Sequence, residues 1–582
     1  MNEKFMPVNR AQMKQRGWDA CDIIIISGDA YVDHPSFGAT LIGRYLEKHG
    51  FRVGIIAQPD WNKPDDFLQL GKPELCFAVS SGNMDSMVAN RSSSKKRRSH
   101  DSYSPGGKAG LRPDRSIIVY CNILRRIAKD TPIIIGGIEA SLRRIAHYDY
   151  WSDSVRRSII FDSRADLLVY GMGEKPMLEI ARRLKNGSAD IYSIPGTAYI
   201  APECPVDAYV IPSYEESATD KSAFASAHIM AVKYFLERPS YPMVQQHQNR
   251  WLVHNPPGDP LSVTEMDDIY DTHFERACHP MYDAKGGVPA FESVKWSITS
   301  HRGCFGGCSF CALFFHQGHI IQRRSKESIL KEVRILAKDP SFKGYISDIG
   351  GPTANMYGLG CNFHEKGTHC GKRECLGNSY NHCPNLNVDH SIYLDVLKEA
   401  SRISGIKKVF ISTGIRFDLF PDNQAQSILQ TVCKNHISGQ MKVAPEHVSE
   451  SVLRYINKPP LKRYTDFLTH FRQAISRLGV KQFVIPYFIA SHPGCTEKDM
   501  LELALFLKQQ GFIPDQIQDF LPTPMTTSTC MYYTERDPRT GEKLYVAKSE
   551  RERMIQRRIL HFHKKENRQL FRQMMEKYFP EQ

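Results

Sequence analysis

Short, continuously apolar runs recur through the first two hundred residues: 22–27 (DIIIIS), 53–57 (VGIIA), 76–80 (CFAVS), 132–136 (PIIIG) and 166–170 (DLLVY). None alternates apolar with polar residues, so each must be covered on both faces. Helical patterns lie between them, as at residues 39–49, where Leu41, Tyr45 and Leu46 recur at helical spacing. Buried strands alternating with helices specify an α/β domain with a doubly wound parallel sheet, predicted over residues 1–200. Glycine turns at Gly136-Gly137 and at 171–174 (GMGE) fall just past strand ends, where such sheets bind ligands. Tight strand-to-helix corners need glycine in any case.

Residues 91–115 (RSSSKKRRSHDSYSPGGKAGLRPDR) interrupt the series. So polar and basic a stretch, rich in Ser, Gly and Pro, cannot build a core, and it predicts a disordered insert. Residues 201–290 mix a helical pattern at 223–238 with Pro-rich turns and are expected to form a bridge to the C-terminal half of the chain.

A chain of 582 residues is long enough for about two to four domains. Its 41% hydrophobic and 10% aromatic content excludes wholesale disorder. No apolar run approaches the roughly 18 residues of a membrane span, and residues 1–18 lack a secretory pattern, so a cytoplasmic protein without a membrane partner is expected. The net charge of +13 is concentrated: residues 91–115 carry eight basic and two acidic side chains, residues 548–582 ten and five. Nucleic-acid contact would therefore come from one loop and one tail, with solvated charge as the plainer reading. In the tail Ile555, Ile559, Phe562, Phe571, Met574 and Tyr578 repeat near helical spacing, which predicts a basic amphipathic helix over 548–582 that docks on the preceding domain.

A second strand and helix series spans residues 291–547, with strand-like runs at 296–299, 344–349, 408–412, 441–444, 482–490 and 516–521. Six such units predict a partial (β/α)6 barrel with its site on the loops at the carboxyl ends of the strands. Seven of the fifteen cysteines lie between Cys304 and Cys383; the other eight are scattered singly and read as small buried hydrophobes. Directly after the first barrel run, SHRGCFGGCSFC places Cys304, Cys308 and Cys311 in a CxxxCxxC loop softened by Gly303, Gly306 and Gly307. Zinc ordinarily takes four ligands in CxxC pairs, and no partner pair lies nearby. A 4Fe–4S cube on three cysteines leaves one iron open, which is useful when a substrate or cofactor must bind it.

This segment resembles the CxxxCxΦC signature of the radical SAM superfamily, with Phe310 as the aromatic residue. The resemblance implies that Cys304, Cys308 and Cys311 hold a 4Fe–4S cluster whose fourth iron is chelated by S-adenosylmethionine, with Phe310 beside the adenine. It places cofactor contacts at Gly350, Gly351, Pro352 and Thr353 after the second strand, at Ser412 and Arg416 after the third, and at Glu446 after the fourth. Residues 488–497 (FIASHPGCTE) look like the Pro-Gly turn of the methylthiotransferase-like branch. More narrowly, SGDAYVDHPSFG (27–38), IAQPDW (56–61), GGIEASLRRIAHYDYW (136–151) and GGPTANMYG (350–358) resemble the YgiQ family over nearly the whole chain. That likeness implies fold and cofactors, and an electron-donating reductase of flavodoxin or ferredoxin type. It names no substrate and no catalytic residue.

The N-terminal domain also resembles the cobalamin-binding domains of cobalamin-dependent radical SAM methyltransferases. A base-off corrinoid domain carries DxHxxG, however, whereas Asp33 and His34 are adjacent here and Gly38 follows four residues later. A histidine ligand to cobalamin is therefore not expected. Within a Cys-rich insert at 361–390, Cys361, Cys370, Cys375 and Cys383, with His364, His369 and His382 among them, offer a second metal or cluster site. Their spacing fits no standard zinc or ferredoxin pattern, and free thiols in a lid are the alternative. The function read here is generation of a 5′-deoxyadenosyl radical for hydrogen abstraction. The alternatives are a cobalamin-dependent or tRNA-modifying radical SAM methyl- or methylthiotransferase, and a metal-stabilised nucleic-acid-binding protein.

Overall fold

The computed structural model describes residues 4–188, 190–368, 370–371, 375–513 and 517–580. The chain forms two compact units, residues 1–299 with 315–317, and residues 300–314 with 318–582.

The first unit is built on a nine-stranded sheet: β1 (Ile23–Ser27), β2 (Val53–Ala57), β3 (Cys76–Ser80), β4 (Ile133–Gly136), β5 (Leu167–Val169), β6 (Thr197–Ala201), β7 (Tyr209–Ile211), β8 (Met243–His247) and β9 (Arg250–His254). Its spatial order is 7-8-9-6-5-4-3-1-2. The five strands with continuous apolar runs pair in parallel in the order 2-1-3-4-5, with Ile25 between Ile55 and Ala78. Every residue of β1 is buried, because helices cover both faces. One such helix, Gly38–Lys48, buries Leu41, Tyr45 and Leu46, the residues at helical spacing. Residues 201–290, expected as a bridge, instead supply β7, β8 and β9, and β6 and β9 join the sheet antiparallel.

The stretch 91–115 corrects the expectation of disorder. It is folded onto the carboxyl ends of β1 and β3: the Ala30 N–H donates to Tyr103 O at 2.9 Å, and Arg112 Nη1 donates to Ser81 O at 2.7 Å. Arg112 is 1% exposed and stands between Asp29 (2.8 Å) and Asp101 (3.0 Å). Gln58 Nε2 bonds both Gly28 O and Ser104 Oγ. The segment is ordered by buried charge pairing rather than apolar area, a source of order that composition does not report. In the 2-1-3-4-5 arrangement the crevice between β1 and β3 is where the chain changes direction and ligands ordinarily bind. Here the insert itself covers those strand ends.

In the second unit, β10 (Tyr345–Ile346) pairs in parallel with β13 (Lys408–Val409), and β11 (Asp348–Gly350) follows β10 directly. Between them β12 (Gly360–Cys361) opens the Cys-rich insert. Strands β14 (Gln440–Glu446), β15 (Phe483–Ala490) and β16 (Gln518–Asp519) form a second parallel group, and a parallel bridge from Ile415 to Val443 continues the direction from β13 to β14. Of the sixth strand-like run expected at 516–521, Gln516 lies outside the described residues.

The tail forms two helices, Glu550–Leu560 and Arg568–Tyr578, rather than one. Asn567 makes the break: its Oδ1 accepts from Arg558 Nε at 2.8 Å while its Nδ2 donates to His561 O at 3.0 Å. Ile559 and Leu560 are fully buried in a cluster with Val452, Ile456, Leu501 and Leu507, and Phe562, Phe571, Met574 and Tyr578 pack around it. Among the described residues no helix is long and apolar enough to cross a membrane.

Candidate functional site

The cysteine loop is closed at its base by a short antiparallel ribbon pairing His301 with Arg323 and Arg302 with Gln322. Within it the Cys304 N–H donates to Gly318 O and the Cys311 N–H to Cys308 O, both at 3.1 Å. The Ser309 N–H donates to Ile456 O at 2.8 Å, and Asn457 Nδ2 to Gly307 O at 3.0 Å, fastening the loop to the turn after Glu450–Ile456. Phe310 is half-buried against the cluster containing Val448, Ile456 and Phe488.

The three thiols are neighbours. Burial pushes the Cys311 thiol up to about 12, and the Cys308 and Cys304 sulfurs add to that push. Cys304 is raised chiefly by burial and then by Cys308, with Arg416 opposing. Neighbouring sulfurs that hold the Cys304 and Cys311 thiols protonated suit a cationic centre, which reverses that electrostatic sign. Among the described residues no three His, Cys, Asp or Glu side chains grip the position of a single ion. In a cube each thiolate takes its own iron, so three cysteines of one loop can serve three irons without closing on a single ion.

Arg416 reaches this loop. Its Nε and Nη2 pair with both carboxylate oxygens of buried Asp418 at 2.8 and 2.6 Å, which leaves Nη1 directed at Cys308 Sγ, 3.4 Å away. A Cβ on Gly306 would lie 2.8 Å from that Nη1, so any larger residue there would displace the guanidinium. The backbone of Arg416 is in turn held by Asn355, whose Oδ1 accepts from Arg416 N and whose Nδ2 donates to Arg416 O, each at 2.9 Å.

The other expected contacts follow the ends of β11, β13 and β14. A Cβ on Gly351 would come within 2.6 Å of His301 O, and the Ser300 N–H donates to Gly350 O at 2.7 Å, so the glycine motif lies against the base of the cysteine loop. Pro352 is half-buried and Thr353 buried as this turn leaves the strand. Ser412 is exposed; its Oγ donates to Ser347 O at 2.7 Å, while its N–H donates to Asp348 Oδ1 at 2.8 Å. Glu446 is buried with φ +70 and 3.5 Å from Lys458 Nζ. Burial raises its carboxyl, with Lys458 and Arg416 opposing. A non-glycine residue held in the left-handed region at a strand end is the kind of strain found at working sites.

Sequence reasoning missed Asp348, Asn355, Asp418 and Lys458. Asp348 ties β11 to the 412–413 turn through Ser412 and Thr413. An acidic residue in the apolar run GYISDIGG and the Arg-x-Asp spacing of 416–418 were the available signals; nothing in the sequence around Lys458 marks it. Of the eight scattered cysteines six are buried, Cys278 is half-buried and Cys204 is exposed.

The family description "Radical SAM N-terminal" matches residues 5–297, and a domain of unknown function, DUF3362, matches residues 515–578. A UPF0313 protein of Clostridium botulinum is 49% identical over 581 residues, covering 99% of this chain and 90% of the relative. One from Methanocella arvoryzae is 50% identical over 574 residues, covering 98% and 94%. The chain belongs to the UPF0313 family of radical SAM proteins. For this UPF0313 member the fold has a solved counterpart in the radical S-adenosylmethionine methyltransferase TsrM from Kitasatospora setae with cobalamin and a 4Fe–4S cluster bound. That structure matches with TM-score 0.50 and 13% identity over 88% of this chain and 79% of the other. In the UPF0313 chain His34 offers cobalt no open nitrogen: Nδ1 accepts the Ser36 N–H at 3.1 Å, and Nε2 lies 2.9 Å from Arg276 Nη1.

Proposed function

We propose that this protein is a radical enzyme that holds one 4Fe–4S cluster on Cys304, Cys308 and Cys311. S-Adenosylmethionine would lie along Gly350, Gly351, Pro352 and Thr353, with Ser412, Arg416 and Glu446 around it and Phe310 beside the adenine. The observation that carries this reading is the common strand direction. Residues 350–353, 412–416 and 446 all lie at or just past the carboxyl ends of strands running the same way, and the cysteine loop is bonded to the first of these ends. When bound, the cluster and S-adenosylmethionine supply reductive cleavage of the sulfonium and a 5′-deoxyadenosyl radical that takes a hydrogen atom from substrate. The chain contributes positioning: Asp418 aims Arg416 at the cysteine loop, Asp348 fixes the turn carrying Ser412, and Lys458 keeps a cation beside buried Glu446.

Anaerobically reconstituted protein given dithionite should convert S-adenosylmethionine to 5′-deoxyadenosine and methionine, and Cys308→Ala should not. Cleavage at the wild-type rate in that variant would overturn the assignment.

A further inference from the structure

The Cys-rich insert is held in place beside the first cysteine loop. Strand β12 and a two-residue partner, Leu386–Asn387, close it as a ribbon that sets Cys361 opposite Leu386. The Leu386 N–H donates to Cys383 O at 3.0 Å, and the Cys383 N–H donates to Cys375 O at 2.9 Å. One continuous set of backbone bonds thus runs from Cys361's partner to Cys383 and on to Cys375. Cys361, Cys370 and Cys383 all lie within electrostatic reach of the Cys375 sulfur. Cys361 and Cys375 are buried and Cys370 and Cys383 half-buried, and all four are free thiols. Cys375 and Cys383 pack with Phe305, Met356, Leu359, Leu376, Leu386 and Leu419, in a cluster that also takes in Cys304.

Four free thiols, two of them packed in one apolar cluster, form a soft ligand set. Tetrahedral zinc at about 2.3 Å from each sulfur would draw the sulfurs to within ~4 Å of one another. No three candidate ligands among the described residues close on one ion in that way.

We propose that Cys361, Cys370, Cys375 and Cys383 bind a second iron–sulfur cluster ligated entirely by cysteine. With all irons coordinated, it has no open position for S-adenosylmethionine, so it is chemically distinct from the cluster on three cysteines. It would also clasp this segment, which is tied to its surroundings by Asn378 Nδ2 to Lys458 O at 2.7 Å, Tyr380 OH to Asp466 at 2.8 Å, and Arg463 Nε to Tyr380 O at 2.8 Å. This inference rests on these four cysteines and stands apart from the radical reading.

The test is an iron, sulfide and zinc count on anaerobically reconstituted full-length protein, wild type against Cys304→Ala/Cys308→Ala/Cys311→Ala. The triple variant should keep about four irons with equal sulfide if the second cluster is a cube, or about two if it is a 2Fe–2S rhomb. A triple variant without iron, or wild type with one zinc beside a single cluster, overturns the proposal and leaves the first site's assignment intact. Should the triple variant not fold, reduced wild type decides by electron paramagnetic resonance. Two cluster signals are expected, of which one changes on adding S-adenosylmethionine and one does not. A single signal that responds completely overturns the second site.

Discussion

Arg112→Met asks whether the basic insert is part of the first unit's structure. The substitution keeps most of the side-chain volume but removes the cation between Asp29 and Asp101 and the bond to Ser81 O. Removing one partner of a buried ion pair costs about 3–5 kcal/mol, because the opposing charge is left unpaired. With a urea m-value of about 3 kcal/mol/M, the unfolding midpoint should fall by about 1–1.7 M. The assay can be confined to the right unit, since all five tryptophans, Trp18, Trp61, Trp151, Trp251 and Trp296, lie in it. Burial pushes the Asp29 carboxyl up to about 6 against the pull of Arg112. A carboxyl raised in the folded state binds its proton more tightly there, so stability falls as pH rises from about 4 through 6. Without Arg112 the folded value climbs further and the fall continues to higher pH. The deficit should therefore be larger at about pH 8 than at about pH 6. A midpoint unchanged at both pH values would return the segment to a solvated loop.

Two further outcomes concern the second unit. Arg416→Met removes a cation and an N–H donor 3.4 Å from Cys308 Sγ, so the cluster's midpoint potential should move to a more negative value in spectroelectrochemical titration; an unchanged potential in a loaded variant would show that the contact is not made. Leu560→Ala opens space in a fully buried site and should cost about 2–5 kcal/mol, read as faster proteolysis of residues 550–578, whereas resistance equal to wild type would argue that the tail is not docked.

The parallel sheet was legible because Ile23 to Ile26 are apolar at every position, a pattern that requires cover on both faces. The insert at 91–115 was not. Its order depends on Arg112 meeting Asp29, which is distant in sequence, and a mean polarity cannot show that the charges neutralise one another. That Cys304, Cys308 and Cys311 are neighbours was legible from spacing alone, since residues within one short loop need no tertiary information to meet. Arg416, Asp418 and Asp348 acquire their partners only when parallel pairing brings the ends of β11 and β13 together. Glu446 was named as a strand-end residue, but its strained backbone and its burial beside Lys458 emerge only from the folded turn. The tail's apolar spacing was visible, and its division into two helices was hidden in the hydrogen bonds of a single asparagine.

Three cysteines would leave one iron of the proposed cluster open to S-adenosylmethionine. Electron–nuclear double resonance on the reduced wild-type protein, with the methionine amino nitrogen and carboxylate oxygen of the cofactor isotopically labelled, tests it most directly. Both labels should show hyperfine coupling to a cluster, lost in Cys308→Ala. A reduced cluster without coupling to either label, at saturating cofactor, would contradict it.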